Sequence, residues 1–335
     1  MDLLRLDILL EQPLLVTNQV SDPNSLRSYD YIPGSSLRGL FAQRYLKRLQ
    51  LTDGADDEVF RRLFIRGAAR FLNAYPLDKD GARSLPTPRG LRKLKGARDA
   101  GEVRNVVVPA ELPEGRWTGL DARYCVPADR TLALYQPEHT VAVHVARDPR
   151  KGRAWVERDE EREQAHGTVF RYEALAAGQW FGAAIACDDA PDRALLAELL
   201  DDEPCWLGRS RSASYGRVRV RLHPDDGWRE PAAGAPLAHG AWTLTLLSDT
   251  ILYAGDGDAV ARVNRQLLSA YLGAPVEEID PRRTFVETVV AGGFNRAWRT
   301  PVPQSPALAA GSVITFRLGA GAEPDTAALE RDGIG

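Results

Sequence analysis

Apolar and polar residues alternate at the start of the chain. Leu4, Leu6, Ile8 and Leu10 fall on one side, Arg5 and Asp7 on the other. A period of two predicts a strand with one apolar face. Turn formers crowd residues 17–30, and then the period lengthens. Leu37, Leu40, Phe41, Tyr45 and Leu49 follow helical spacing, which predicts a helix over about 36–49 with Ser35 or Ser36 as its N-cap. From about Leu77 to Ala165 prolines, glycines and arginines break the pattern, leaving short strand-like pieces at 106–108 and 140–145. Residues 147–163 are dense in both charge signs. This region reads as a long insertion with a mobile tip.

Regular patterning returns in strands at 168–172 and 180–185, a short helix over 192–200, and a strict arginine/apolar alternation over 217–222. The order strand, helix, insertion, strands, helix, strand suits a βαββαβ ferredoxin-like sheet with helices on one face. Residues 224–240 are rich in Pro, Gly, Ala and Asp and read as a linker. A strand restarts at Trp242-Thr243-Leu244-Thr245-Leu246. A helix over 258–272 follows, stopped by Gly273 and Pro275, then strands at 285–290 and 312–318. The expected fold class is therefore α+β, with two ferredoxin-like domains: residues 1–223 with an insertion at about 77–165, and residues 241–335. The second domain looks truncated. Past a possible helix at 326–330 the sequence offers no closing strand, so part of the apolar face of Trp242, Leu244 and Leu246 is expected to be uncovered.

Composition narrows the functional classes. The 335 residues are 44% hydrophobic and 27% charged, ordinary for a chain with a real core, and no apolar run is long enough to span a bilayer. The N-terminus begins directly on the strand pattern, so no signal peptide is expected and a cytoplasmic location follows. Cys125, Cys187 and Cys205 are scattered, which argues against a disulfide framework or a zinc site. Net charge is −3, so any nucleic-acid contact must come from local patches. Lysine is scarce and arginine supplies most of the positive charge, which also suits a GC-rich genome.

Three segments concentrate basic, glycine and aromatic residues. The strongest runs from Leu207 to Arg221, with five arginines and no acid. Gly208 and Gly216 bracket a serine-rich loop holding Arg209, Ser210, Arg211, Ser212 and Tyr215. Glycines admit backbone N–H groups to a phosphate, arginines add charge, and Tyr215 offers a ring to a base. Arg217, Arg219 and Arg221 share one sheet face. A solvated hairpin with a basic outer face fits the same pattern. The second segment, 33–51, is free of acid up to the helix end. There Ser35, Ser36 and Arg38 stand where a helix N-terminus presents N–H groups, though an ordinary amphipathic helix fits equally well. The third, 291–303, holds Gly293, Phe294, Asn295, Arg296 and Trp298, suited to stacking and phosphate contact; a packed loop is the alternative. Histidines are scattered, no P-loop or nucleophile elbow is present, and the acidic runs at 56–58, 188–189 and 201–203 fit helix capping better than metal binding. No catalytic residue, metal or cofactor is expected.

Ile32-Pro33-Gly34-Ser35-Ser36-Leu37-Arg38-Gly39 resembles the helix start of the CRISPR-associated RAMP superfamily, and 208–216 resembles its glycine-rich loop. Gly292-Gly293-Phe294-Asn295-Arg296 with the stretch up to Val313 is similar to the C-terminal half of two-domain members, nearest the type III-D subunit that caps the crRNA 5′ end. The resemblance implies two ferredoxin-like (RRM-like) domains and binding of the 5′ repeat-derived tag of crRNA. It also implies contact with the large polymerase-cyclase subunit and an adjacent backbone RAMP subunit, and with target RNA only indirectly. It places Ser35, Ser36, Arg38, Gly208, Arg209, Ser210, Arg211, Tyr215 and Gly216 in matching motifs. The expected function is a non-catalytic subunit of a type III effector. The alternatives are a RAMP endoribonuclease maturing crRNA, with a histidine such as His166 as general acid-base, and a protein-interaction module without an RNA role.

Overall fold

The structure is a computed structural model describing residues 2–17, 25–96, 103–108, 114–128, 131–145, 156–159, 164–167, 169–200, 203–223, 236–237, 240–295 and 300–334. Contacts group the chain into two units. The first comprises Met1–Leu77, Pro137–Asp226 and Gly293–Val302, the second Asp78–Gln136, Gly227–Gly292 and Pro303–Gly335. The boundaries suggested by sequence divide the chain differently, and most of the linker at 224–240 lies outside the described residues.

In the first unit the alternating N-terminal segment forms the strand Asp2–Leu10, antiparallel between Trp180–Cys187 and Arg217–Leu222. Cys205–Trp206 extends the Arg217–Leu222 edge; Ala69–Phe71 and Tyr75–Pro76 pair with the far side of Trp180–Cys187. The last strand in sequence thus lies beside the first. Leu6, Ile8 and Leu10 point with Phe181, Ile185 and Val218 toward Leu37 and Phe41 of the helix Gly34–Arg48 and Leu196 of the helix Ala190–Glu198. All nine are fully buried, and each such side chain contributes about 1.5–3 kcal/mol over leaving it exposed. Asp189 caps the second helix through the Asp192 amide at 2.8 Å, and Asp57 caps the short helix Glu58–Phe60 at 2.6 Å. Two of the acidic runs therefore cap helices, while 201–202 lie outside the described residues. Arg62 grips the buried Asp192 with both terminal nitrogens.

A second, three-stranded sheet in this unit joins His139–Val145, Val169–Leu175 and Ser25–Arg27. One of its faces carries His144, Phe170 and Tyr172, which form an aromatic cluster.

The second unit has a three-stranded antiparallel sheet ordered Ala241–Thr245, Val313–Leu318, Val276–Ile279. The helix preceding Val276–Ile279 is shorter than spacing predicts. It spans Arg265–Leu272, with Asn264 as N-cap and Gly273 left-handed at φ 64°, because Ala259–Val260 is instead drawn into a ladder with Leu252–Tyr253. Contrary to expectation, the apolar face of the first strand is covered. Leu246 is buried, and Trp242 and Leu244 join the core that also takes in Leu329 of the closing helix Thr326–Asp332. Thr288–Asn295 and Thr300–Leu308 pair as a two-stranded ladder. Residues within 78–136, where the periodicity broke down, form two further three-stranded sheets. Val103–Asn105 is the strand there, and 106–108 is a turn. Arg89 pairs with Glu287, and the Arg92 guanidinium lies 4.8 Å over the Phe285 ring. No helix among the described residues is long and apolar enough to cross a membrane.

Candidate nucleic-acid interface

The glycine loop joins Cys205–Trp206 to Arg217–Leu222 as the turn of a hairpin. It is closed by Leu207 N–H donating to Gly216 O at 2.9 Å. It is seated on the Pro13–Leu15 segment by Arg209 N–H to Leu15 O (3.0 Å) and Gly216 N–H to Pro13 O (2.8 Å). Gly208 and Gly216 have φ of 68° and 83°, and a Cβ on them would lie 2.4 Å from Leu15 O and 2.1 Å from Leu207 O. The glycines are thus required by close backbone approach as well as by conformation. Between them Arg211–Ala213 makes one 3-10 turn, flanked by Ser210 (φ 60°) and Ser214 (φ 64°), both left-handed. Such positions are strained for non-glycine residues and cluster at functional sites.

The loop's side chains separate into two groups. Arg209, Arg211, Ser212 and Ser214 are exposed and Ser210 is half-buried. Tyr215, which the sequence offers as a stacking ring, is 5% exposed. Its ring packs edge-on against Tyr172 and His144, and its hydroxyl lies 3.0 Å from His144 Nε2. Burial, with the neighbouring Tyr172, raises its pKa. In this arrangement Tyr215 anchors the loop, and a base stacking on it would have to displace that cluster.

Arg217, Arg219 and Arg221 do share one face, with Val218 and Val220 in the core. They also have internal partners. Arg217 and Arg219 both pair with Glu11, at 2.8 and 3.0 Å. Arg221 pairs with Asp7 at 3.2 Å and lies 4.5 Å over the Trp180 ring. Asp7 also meets His223 Nδ1 at 2.6 Å. Trp206, 43% exposed, stands directly opposite Arg217 on the same face. The sequence reading passed over Trp206. A tryptophan two positions before the first loop glycine, on the partner strand of a hairpin, was its available signal.

The helix start is built differently. Helix Gly34–Arg48 begins before Ser35, with Pro33 as N-cap and no side-chain cap of its own. Neither serine is therefore the cap. Asn73 Oδ1 instead accepts the Gly34 N–H at 2.9 Å. Gly34 lies flat on the neighbouring strand, where a Cβ would fall 1.8 Å from Phe71 O; that contact pulls the helix start back to residue 34. Ser35 and Arg38 are exposed in the first turns. Arg44 and Arg48 are committed elsewhere, donating to Leu199 O and to Glu198.

In the third segment Gly293, Phe294 and Asn295 end the strand Thr288–Asn295. The Phe294 and Asn295 side chains, and Arg296 and Trp298 entirely, lie outside the described residues. The first two segments and residues 293–302 of the third belong to the first unit. Of the candidate base, the backbone of His166 lies in the strand Gln164–Gly167, and its side chain is outside the description. The Cys187 thiol is pushed up to about 12 by burial and then by the Asp192 charge, so it is protonated at neutral pH.

Comparison with curated proteins finds no match. Among solved structures, similar chains occur in a type III-B Cmr-beta complex in its apo state (12% identity, 67% of this chain and 98% of that chain, TM-score 0.38). Others occur in Cmr-beta bound to cognate target RNA and AMPPnP (11%, 93% and 86%, TM-score 0.44) and in Pyrococcus furiosus Cmr4 (Cas7) (15%, 66% and 99%, TM-score 0.29). The RAMP superfamily profile matches residues 8–219. That span runs from the first strand through the helix start and the glycine loop into the arginine strand, and on that match the chain belongs to the RAMP superfamily.

Proposed function

We propose that this protein is a non-catalytic, cytoplasmic subunit of a type III CRISPR ribonucleoprotein. It binds the 5′ repeat-derived tag of crRNA and bridges the large polymerase-cyclase subunit to a backbone RAMP subunit. RAMP membership supports the setting. The sheet of the first unit, with its last strand beside its first and both helices on one face, supports the ferredoxin-like reading.

One observation carries the RNA role. The loop 208–216 is bolted to Pro13–Leu15 at its base while Arg209 and Arg211 stay exposed on a strained turn, the Arg211 guanidinium donating to Trp206 O at 3.2 Å. A rigid seat lowers the entropy lost on binding. The guanidiniums supply charge and planar donors for phosphate. The test is co-purification of the chain with its complex, followed by RNA extraction. Retained crRNA that is lost with Arg209→Glu/Arg211→Glu supports the reading. A metal-independent cut in repeat RNA by the pure chain would replace it with the endoribonuclease.

A further inference from the structure

We infer that the face of the first sheet opposite the helices continues the RNA path beyond the loop. On it Trp206 is a stacking surface and Arg217, Arg219 and Arg221 are successive phosphate contacts for single-stranded RNA. This rests on the RNA-binding reading above and extends it to residues that the loop motif does not contain.

Four observations point there. First, Trp206 and Arg217 are cross-strand partners at the base of the loop hairpin, so a strand leaving Arg209 and Arg211 meets them next. Second, a large indole left 43% exposed beside a guanidinium is a sequence-tolerant platform for a base. Third, alternate residues of a strand recur every ~6.8 Å, a step comparable to that between successive phosphates of an extended single strand. The three arginines therefore present charge at an RNA-like interval, with side chains 45%, 44% and 53% exposed. Fourth, Arg217 and Arg219 share the carboxylate of Glu11 and Arg221 pairs with Asp7. These ion pairs preset the geometry of the row. Arg221 is further held flat against Trp180, which fixes its fork before any ligand arrives.

The test uses the full chain and a fluorescent oligouridylate, with affinity measured across a salt series. Trp206→Ala is expected to weaken binding about tenfold. Arg219→Gln should lower the slope of log affinity against log salt by about 0.7. Glu11→Gln is expected to strengthen binding several-fold, because it frees two arginines from their internal counter-ion. A merely structural ion cluster would not give that gain. Thermal melts run alongside establish that each variant is folded. If the unaltered chain binds and Arg209→Glu/Arg211→Glu abolishes it while these three variants bind unchanged, the platform is overturned and the loop reading stands. Unchanged RNA binding with loss of a co-purifying protein would also overturn it, assigning the face to a protein partner. If the unaltered chain binds no RNA, both readings fall.

Discussion

The two units pair their strands differently, as the strand Asp2–Leu10 of the first and the strand Ala241–Thr245 of the second show. In the first unit Asp2–Leu10 is paired on both sides, and the strand that closes it, Arg217–Leu222, carries the glycine loop and the arginine row. In the second unit Ala241–Thr245 pairs on one side only among the described residues. The strand that completes the first sheet is thus also the one that carries the candidate chemistry. The units differ likewise in how they use left-handed glycines. Gly216 is wedged against a carbonyl, whereas Gly273 ends a helix with nothing within 4 Å of its would-be Cβ.

Glycine substitution should separate the two most sharply. Gly273→Ala is expected to cost about 1–2 kcal/mol, the left-handed penalty alone. Gly216→Val should cost more and also unseat the loop, abolishing RNA retention; calorimetry and RNA extraction read the two effects. Equal melting shifts would mean that the close approach to Leu207 O carries no weight.

Charge reversal tests which unit holds the RNA. Arg209→Glu/Arg211→Glu should lower the salt slope of binding by roughly 1.4, at about 0.7 per lost contact. Arg282→Glu, an exposed site in the second unit, should leave it unchanged. A comparable fall from Arg282→Glu would spread the interface beyond the first unit.

The singly paired strand is expected to drive weak self-association of the isolated chain, since open edges template pairing. Thr243→Lys, on an exposed position of that strand, should reduce it in sedimentation runs. A monodisperse unaltered chain at high concentration would remove this contrast between the units.

The smallest effect concerns alkaline pH. Tyr45, buried in the first core, has its pKa pushed up to about 12 by burial and then by its hydrogen bond to Asp57. The unfolded chain releases that proton near pH 10 and the folded chain near 12. The resulting stabilisation is full below pH 10 and is lost as pH rises toward 12. Tyr45→Phe should flatten that part of a melting-temperature profile, and an identical profile would argue against the shift.

Strict periodicity was the most legible feature. Asp2–Leu10, Gly34–Arg48, Trp180–Cys187 and Arg217–Leu222 were all readable because one face of each is continuously buried. The 78–136 region was not: strands such as Leu85–Pro86 are too short to establish a period. Nor was the extent of Arg265–Leu272, where a competing ladder took the preceding residues.

The sequence by itself determined the strictly periodic strands and helices, and where glycine, serine and arginine concentrate, since these follow from local spacing and backbone freedom. Only the tertiary structure decided which side chains remain available. Tyr215 and Trp206 are both aromatic residues flanking one loop, yet the first is sealed against Tyr172 and His144 while the second stands in solvent. That outcome depends on the sheet of His139–Val145, Val169–Leu175 and Ser25–Arg27 packing beneath the loop, a long-range contact that no local pattern encodes.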